Sequence, residues 1–126
     1  MSTPAEDPAE GPAPDALAAE DKKLVTLARS TRARTRAAEG AAVRDADGRT
    51  YAAATVDLPS LQVSALGVCV AMAVASGATG LEAAVVLTDA AAVTPRDLDA
   101  LRDLGGSGVP VHRGDAKGAL AGTTRT

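Results

Sequence analysis

One stretch, residues 60–77 (SLQVSALGVCVAMAVASG), constrains the fold more than any other part of the chain. Its residues are small or medium-sized and almost all apolar, and we predict that they form one helix without a polar face. A helix that is apolar all round must be buried on most sides. Its uninterrupted apolar part, Ala65–Ala75, is far shorter than the roughly 20 residues that span a bilayer. We therefore predict the central helix of a soluble domain and no membrane segment.

The composition limits the kind of core that this helix can join. The chain has 126 residues, of which 46% are hydrophobic, but it has no Phe or Trp and a single aromatic residue, Tyr51. A core of Val, Leu and Ala buries little area per residue, and association with identical subunits is a common way to bury more. The net charge of −3 argues against a general nucleic-acid binder. The single cysteine, Cys69, reads as a small buried hydrophobe.

The two ends of the chain have little to bury. Residues 1–16 are rich in Pro, Ala, Glu and Asp, and we predict a disordered acidic leader, whose role is to solubilise the protein or to bind a partner. This start has no apolar core of a signal peptide, so a cytoplasmic location is the expectation. From Gly114 to residue 126 the chain is rich in Gly, Ala and Thr, which predicts a flexible tail. The folded domain is then expected over residues 17–113.

The first predicted helix, residues 17–35, carries a cluster of basic side chains. Arg29, Arg32 and Arg36 recur at helical spacing and are expected to share one face. Such a face is either a site for a phosphate or another anion, or a solvated surface.

Helices and strands alternate through the middle of the chain. The pair Asp47-Gly48 predicts the turn of a hairpin, because glycine accepts a positive φ. Ser60 is the expected N-cap of the central helix and Gly77 its stop. Thr94-Pro95 is a typical start of a further helix. The predicted strands are residues 40–43, 49–55, 81–88 and 109–112, and residues 56–59 are a linker. This order predicts a three-layer α/β/α sandwich with a mixed sheet.

The same order and several short motifs resemble the cytidine deaminase family. The motifs are Gly40-Ala41-Ala42-Val43, then Asp47-Gly48-Arg49, and a helix that ends in Ala75-Ser76-Gly77, and the resemblance covers about residues 24–112. It implies a hydrolytic nucleoside deaminase that binds zinc and forms tetramers in which the central helices meet. In such deaminases a His or Cys and a Cys-x-x-Cys pair hold the metal, and a Glu moves protons.

The chemistry-bearing positions of that family differ in this chain. Set against the family's motifs, Ser64 stands at the first ligand position and Leu66 at the proton-shuttle position. The motif that supplies the two thiolates reads Pro95-Arg96-Asp97-Leu98-Asp99, with Arg96 and Asp99 in their place. Leucine cannot carry a proton. The chain has one Cys and one His, Cys69 and His112, whereas a tetrahedral zinc site needs about four N or S ligands, or three and a water.

These differences predict a catalytically inactive protein without zinc or another cofactor. We expect it to act through a homo-oligomer, a dimer or tetramer formed by helix 60–77, in which Gly67, Ala71 and Ala75 allow close approach. A nucleoside-like molecule or a protein partner is the other expected interaction. The family's ribose-binding segment corresponds to Thr55 and Asp57, so the predicted ligand site is Thr55, Asp57 and Ser64.

Two other readings of the sequence stay open. One is a hydrolase with a rearranged site that uses Asp57, Asp99 or His112, since carboxylates and histidine hold metals and move protons. The other is an anion-binding module that uses the arginine face of the first helix, and salt-dependent binding would identify it.

Overall fold

The computed structural model describes residues 9–14 and 16–126 of the chain. In that part, three helices and seven strands follow one another. The helices are α1 (Ala19–Thr35), α2 (Ala65–Ala75) and α3 (Pro95–Gly105). The strands are β1 (Gly40–Asp45), β2 (Thr50–Ala54), β3 (Val56–Leu58), β4 (Leu61–Val63), β5 (Leu81–Leu87), β6 (Pro110–Gly114) and β7 (Leu120–Arg125).

Five of the strands form one mixed sheet in the order β2-β1-β5-β6-β7. The β1–β2 hairpin is antiparallel and turns at Gly48, whose φ is 85°. Strands β5 and β6 are parallel, because α3 carries the chain from the end of one to the start of the other. Strands β6 and β7 are again antiparallel. The mixed sheet that the sequence predicts is therefore confirmed.

Helices cover both faces of this sheet, which confirms the three-layer sandwich. On one face α1 buries Leu24 and Ala28 against Ala42, Val85 and Leu87. The other face carries α2 and α3. The core on that side includes Leu66 and Cys69 from α2, Leu98 and Leu101 from α3, and Ala41, Val43, Val86 and Val111 from the sheet. Alternate residues of each strand thus point to opposite layers, as the pleat of a strand requires.

The central helix begins later than the sequence predicts. Residues 56–59 are not a simple linker, because β3 and β4 form a small antiparallel hairpin around Pro59 and Ser60. Ser60 therefore lies in the turn of this hairpin and is not the N-cap. Ser64 caps α2 instead and accepts a hydrogen bond from the backbone N–H of Gly67 at 3.0 Å. The predicted stop is correct, since Gly77 follows the helix with a φ of 91°.

Helix α2 is buried on one face only within a single chain. Ala65, Leu66, Cys69 and Ala73 are buried, whereas Val74 is 55% exposed and Met72 is 38% exposed. The sequence predicts that this helix is buried on most sides, but a single chain leaves one side of it exposed. Among the helices that the structure describes, none has the length and apolar character needed to cross a membrane.

The carboxyl-terminal residues do not form the flexible tail that their composition predicts. Residues 120–125 are β7, and the backbone N–H of the last residue, Thr126, bonds to the Val109 carbonyl at 3.0 Å. Backbone pairing with β6 orders a segment whose side chains are small, so side-chain composition was a poor guide here. The predicted leader lies partly outside the described residues (1–8 and 15), but residues 9–14 run beside β7 and bond to it at Gly11.

The β1–β2 hairpin is held by a buried carboxylate. Asp45 is 1% exposed and accepts hydrogen bonds from the Tyr51 hydroxyl at 2.8 Å and from the backbone N–H groups of Asp47 and Arg49, each at 2.9 Å. Burial works to raise the pKa of Asp45, but these hydrogen bonds outweigh it and hold the pKa below its usual value.

This lowered pKa gives an expected pH dependence of stability. Because the folded pKa of Asp45 is lower than the unfolded one, the carboxylate stabilises the fold above about pH 4, and the contribution is lost as the pH falls through the folded pKa. Asp45→Asn is expected to lower stability at pH 7 and to flatten its fall between pH 5 and pH 2. Urea unfolding at a series of pH values measures this, with Asp47→Asn in the exposed turn as the control. A parallel acid profile for Asp45→Asn and the parent protein would contradict it.

Candidate functional site

The amino termini of α2 and α3 meet beside the β3–β4 hairpin. Each helix has a hydroxyl N-cap, Ser64 for α2 and Thr94 for α3. The Ser64 hydroxyl donates to the Asp97 carboxylate with an Oγ–Oδ1 distance of 2.6 Å, and Asp97 is 9% exposed. A hydrogen bond from a hydroxyl to a carboxylate is among the short, strong ones. This contact therefore joins the first turns of the two helices.

A cavity of about 460 Å³ opens over this junction. Its size is within the range of small-molecule sites. The polar side chains that line it come from three separate stretches of the chain: Glu39, Gln62, Ser64, Thr94, Arg96 and Asp97. Val63, Gly67 and Ala100 supply the apolar part of the lining. Arg96 and Asp97 place opposite charges on the same wall, so the cavity offers both hydrogen-bond donors and acceptors.

The predicted ligand residues lie together at this cavity. Thr55 and Asp57 line an open pocket that adjoins this cavity and shares Ser64 and Arg96 with it. The Thr55 hydroxyl accepts a hydrogen bond from the backbone N–H of Glu39 at 2.9 Å, so it fixes the chain beside Glu39. Asp57 is exposed at the mouth, and its carboxylate is free of any partner among the described residues. Asp57 is therefore available to a ligand, whereas Thr55 and Ser64 already bond to the protein.

The positions that differ from the family's motifs are separated by the structure. Leu66 is 1% exposed and packs in the core below Ser64. Arg96 lines the cavity, but Asp99 lies outside it and pairs with Arg102 at 2.9 Å. The residues of α3 that face the cavity are Arg96, Asp97 and Ala100. The side chain that meets Ser64 is thus Asp97, one position after Arg96.

The donors at this junction do not fit the zinc ion that the resemblance implies. A zinc site is built from thiolate, imidazole and carboxylate ligands. The Asp97 carboxylate is already bonded to the neutral Ser64 hydroxyl, and the cationic guanidinium of Arg96 in the same lining repels a metal ion. Across the described residues no group of three His, Cys, Asp or Glu side chains is placed to hold a metal.

The one cysteine of the chain lies away from the cavity. Cys69 is fully buried on α2 and its thiol contacts the Tyr51 carbonyl oxygen at 3.6 Å. Burial raises the pKa of this thiol to about 12. It is therefore a neutral part of the core at physiological pH.

Cys69 is expected to resist thiol reagents in the folded protein. The thiolate is the reactive form, and burial both disfavours it and blocks access. Ellman's reagent at pH 8 is expected to detect one thiol in guanidinium chloride and less than about a tenth of that signal in native buffer. Rapid labelling of the native protein would show that α2 opens locally.

The remaining predicted residues lie on the opposite face of the sheet. His112 is 2% exposed and bonds to Asp21 of α1 at 3.0 Å and to the Thr123 hydroxyl at 2.7 Å. On α1, Arg29 reaches the Lys117 carbonyl at 3.4 Å and Arg32 reaches the Ala38 carbonyl at 3.1 Å. The third member of the predicted arginine face, Arg36, is exposed and has left the helix, with a φ of 55° at the C-cap.

Three cavity residues were missed by the sequence analysis. Glu39 directly precedes β1, Gln62 lies on the unpredicted strand β4, and Asp97 is in the first turn of α3. Glu39 and Gln62 belong to no motif, so no sequence signal identifies them. The position of Asp97 in the first turn of a predicted helix was visible in the sequence. The helix dipole stabilises an acid there, so this position by itself does not indicate a functional site.

Comparisons with known proteins give a family and a fold. A family model described as cytidine deaminase-like matches residues 17–118. No curated protein matches the chain in sequence. Cytidine deaminase from Burkholderia pseudomallei is similar in structure, with a TM-score of 0.71 and 20% identity over 82% of this chain and 91% of that one. Cytidine deaminase from Mycobacterium tuberculosis has a TM-score of 0.64 and 23% identity, over 75% of this chain and 85% of that one.

These solved structures support the fold, but they do not show what the cavity of this chain binds. At 20% and 23% identity, a common fold does not carry over an activity. The chemistry of the cavity therefore depends on the side chains that line it.

Proposed function

Because the chain belongs to the cytidine deaminase-like family, we propose that it is a non-catalytic member that binds a nucleoside-like molecule and assembles with other copies. The ligand lies in the cavity over the α2–α3 junction, and assembly uses the exposed face of α2. The observation that carries this proposal is the Ser64–Asp97 hydrogen bond above a buried Leu66.

The loss of catalysis follows from the groups at the junction. Deamination by a zinc enzyme needs a metal-activated water and a side chain that passes protons to and from it. Leu66 has no ionisable group and is 1% exposed. The Ser64 hydroxyl donates a hydrogen bond to the Asp97 carboxylate and accepts one from the Gly67 N–H, so it is held as a helix cap. Neither residue activates a water.

Ligand binding is supported by what remains free in the cavity. Asp57 and Glu39 carry carboxylates that accept hydrogen bonds from the hydroxyls of a ribose. Arg96 is exposed to the cavity and presents N–H donors to a carbonyl oxygen of a base. A neutral molecule with both hydroxyls and a carbonyl therefore matches this lining.

Assembly is supported by the exposed apolar side of α2. Val74 and Met72 lie in solvent in a single chain, and Val70 and Val74 border an apolar groove against Leu104 of α3. Ala71 and Ala75 are also exposed, so the helix surface is small and smooth there. Gly67 lies elsewhere, at the cavity, and takes no part in this face. Burial of this face by a second copy would remove its apolar side chains from water.

A rearranged hydrolase is the weaker alternative. Asp57 lies at the cavity mouth, but Asp99 pairs with Arg102 outside the cavity and His112 is buried on the other side of the sheet. The three residues therefore cannot act on one substrate.

The anion-binding module is the other alternative and stays a prediction. Arg29 and Arg32 each donate to a backbone carbonyl, which leaves Arg36 as the residue of that group most open to an anion.

Native mass spectrometry and a deaminase assay test the proposal together. We expect a dimer or tetramer without stoichiometric zinc, and no ammonia release from cytidine with or without added zinc. Thermal stabilisation by nucleosides is expected, and Asp57→Ala is expected to reduce it, whereas Asp89→Ala in an exposed loop is not. Val74→Glu is expected to give monomers, with Ala92→Glu as the control. Release of ammonia from cytidine, or bound zinc at one ion per chain, would overturn the non-catalytic assignment.

A further inference from the structure

The amino-terminal segment of residues 9–14, here called the arm, lies along β7, the outer strand of the sheet. The backbone N–H of Gly11 donates to the Thr123 carbonyl at 2.8 Å, and the N–H of Thr123 donates to the Gly11 carbonyl at 2.9 Å. These two bonds are one rung of an antiparallel ladder. The arm therefore starts a sixth strand on the sheet.

A second contact fixes the arm beside this rung. The Glu10 carboxylate binds the Arg113 guanidinium in a bidentate pair, with distances of 2.7 Å to Nε and 2.8 Å to Nη2. The remaining Nη1 of Arg113 donates to the Ala90 carbonyl at 3.1 Å, so the guanidinium is held in place from its other side. The hydrogen bond from Arg113 holds the pKa of the Glu10 carboxyl below its usual value.

The surface beside β7 is shaped for this carboxylate. A Cβ atom at Gly122 would overlap the Glu10 side chain, so the glycine leaves the space that the carboxylate fills. The edge therefore contacts two consecutive residues of the arm. Glu10 lies against Arg113 and Gly122, and Gly11 bonds to the backbone of Thr123. Such a set of contacts discriminates an Asp or Glu side chain from a neutral one.

The arm fills only part of this edge. Peptide groups in a strand alternate in direction, so Arg125 turns its N–H and C=O groups to the same outer side as Thr123. Among residues 9–14 and 16–126 the bridge is a single rung, and Pro12 and Pro14 cannot donate to a ladder. A groove of about 400 Å³ remains between the arm and the end of β7.

We propose that the outer edge of β7 is a strand-docking site, which the chain's own arm occupies and which accepts an extended peptide from a partner protein. The recognised feature is a carboxylate side chain directly before a glycine, on a strand without the prolines of the arm. This is recognition by strand addition, in which backbone bonds give affinity and a side-chain pocket gives specificity. The arm competes for the site at an effective concentration on the order of millimolar, so it sets a threshold for binding.

Charge favours this partner over a second copy that pairs through the same edge. Two β7 edges placed side by side would bring Arg125 and the Arg113 side of each chain together, and like charges oppose such pairing. A strand that carries a carboxylate instead complements Arg113.

The test uses the full chain with the substitution Glu10→Ala, which removes the arm's anchor and leaves Arg113, Gly122 and β7 unchanged. The probe is a fluorescent peptide, Ala-Glu-Gly-Thr-Ala-Thr with blocked ends, followed by anisotropy. We expect the probe to bind Glu10→Ala about tenfold or more tightly than the parent chain, since the competing arm is weakened. A probe with Gln in place of Glu is expected to bind about tenfold or more weakly than the Glu probe.

Two further variants make the assignment specific. Adding Arg113→Gln to Glu10→Ala is expected to abolish the preference for the Glu probe, and adding Arg102→Gln, on α3, is expected to preserve it. Hydrogen exchange of the Thr123 amide is expected to speed up in Glu10→Ala. If Arg113→Gln does not fold, the comparison of the Glu and Gln probes on Glu10→Ala still decides. Equal binding of the two probes, equal binding to the two chains, or dimerisation of Glu10→Ala without probe binding would each overturn the proposal.

Discussion

The substitution Gly40→Ala is expected to lower the free energy of unfolding by about 3 kcal/mol, a large effect for a single methyl group. Gly40 begins β1 where α1 crosses it most closely. A Cβ atom at this position would overlap the backbone carbonyl oxygen of Ala28 and lie 2.7 Å from the Cβ of Arg32. Both obstacles are fixed parts of the helix, so relief requires α1 to move away from the sheet. That movement would loosen the layer built on Leu24 and Ala28.

Gly80→Ala is the matched control for this prediction. A Cβ at Gly80, just before β5, would lie 3.3 Å from the Cβ of Ala46, which needs a shift of only a few tenths of an ångström. We expect a change of less than about 0.5 kcal/mol for it. Urea unfolding followed by circular dichroism compares the two variants. Equal stabilities would show that α1 and β1 are less closely packed than these contacts imply.

The second large effect is expected at the helix junction. Asp97→Ala removes the acceptor of the Ser64 hydroxyl and the acidic side chain in the first turn of α3. Hydrogen bonds to charged groups contribute roughly 1.5–3 kcal/mol, and a half-buried hydroxyl left without its acceptor adds to the cost. We therefore expect a loss of about 2–3 kcal/mol in the free energy of unfolding.

Asp99→Ala, two residues further along the same helix, is the control. Asp99 is exposed and its ion pair with Arg102 lies on the surface, so its removal is expected to cost less than about 1 kcal/mol. Chemical unfolding at pH 7 separates the two variants. If Asp97→Ala matched Asp99→Ala, the Ser64–Asp97 contact would not be the tie between α2 and α3. Chelators are expected to leave the unfolding curve of the parent protein unchanged, because this hydrogen bond needs no metal.

Much of the layer structure could be predicted from local sequence patterns. The Asp47-Gly48 turn, the apolar strand around Val85 and the Thr94-Pro95 helix start are all signals contained within a few residues, and each element exists. Ser60 and the tail after Gly114 were misread for a common reason. Strands β4 and β7 are defined by which backbone they pair with, and their own side chains show little alternation of apolar and polar residues.

The sequence by itself determined which chemistry is missing. The chain has one cysteine and a leucine at position 66, and no folding can supply the family's pair of thiolates from a single cysteine. The element order likewise predicted the sandwich, and Gly40 lets α1 lie close to the sheet, because a Cβ there would overlap the Ala28 carbonyl oxygen.

Only the tertiary structure decided what takes the place of the missing groups. Ser64 and Asp97 are 33 residues apart, and Glu10 and Arg113 are 103 apart, so no local pattern connects either pair. Each pair forms because the packed helices or the paired strands bring two polar side chains to one point. The sequence therefore identifies the candidates, and the fold selects which of them meet.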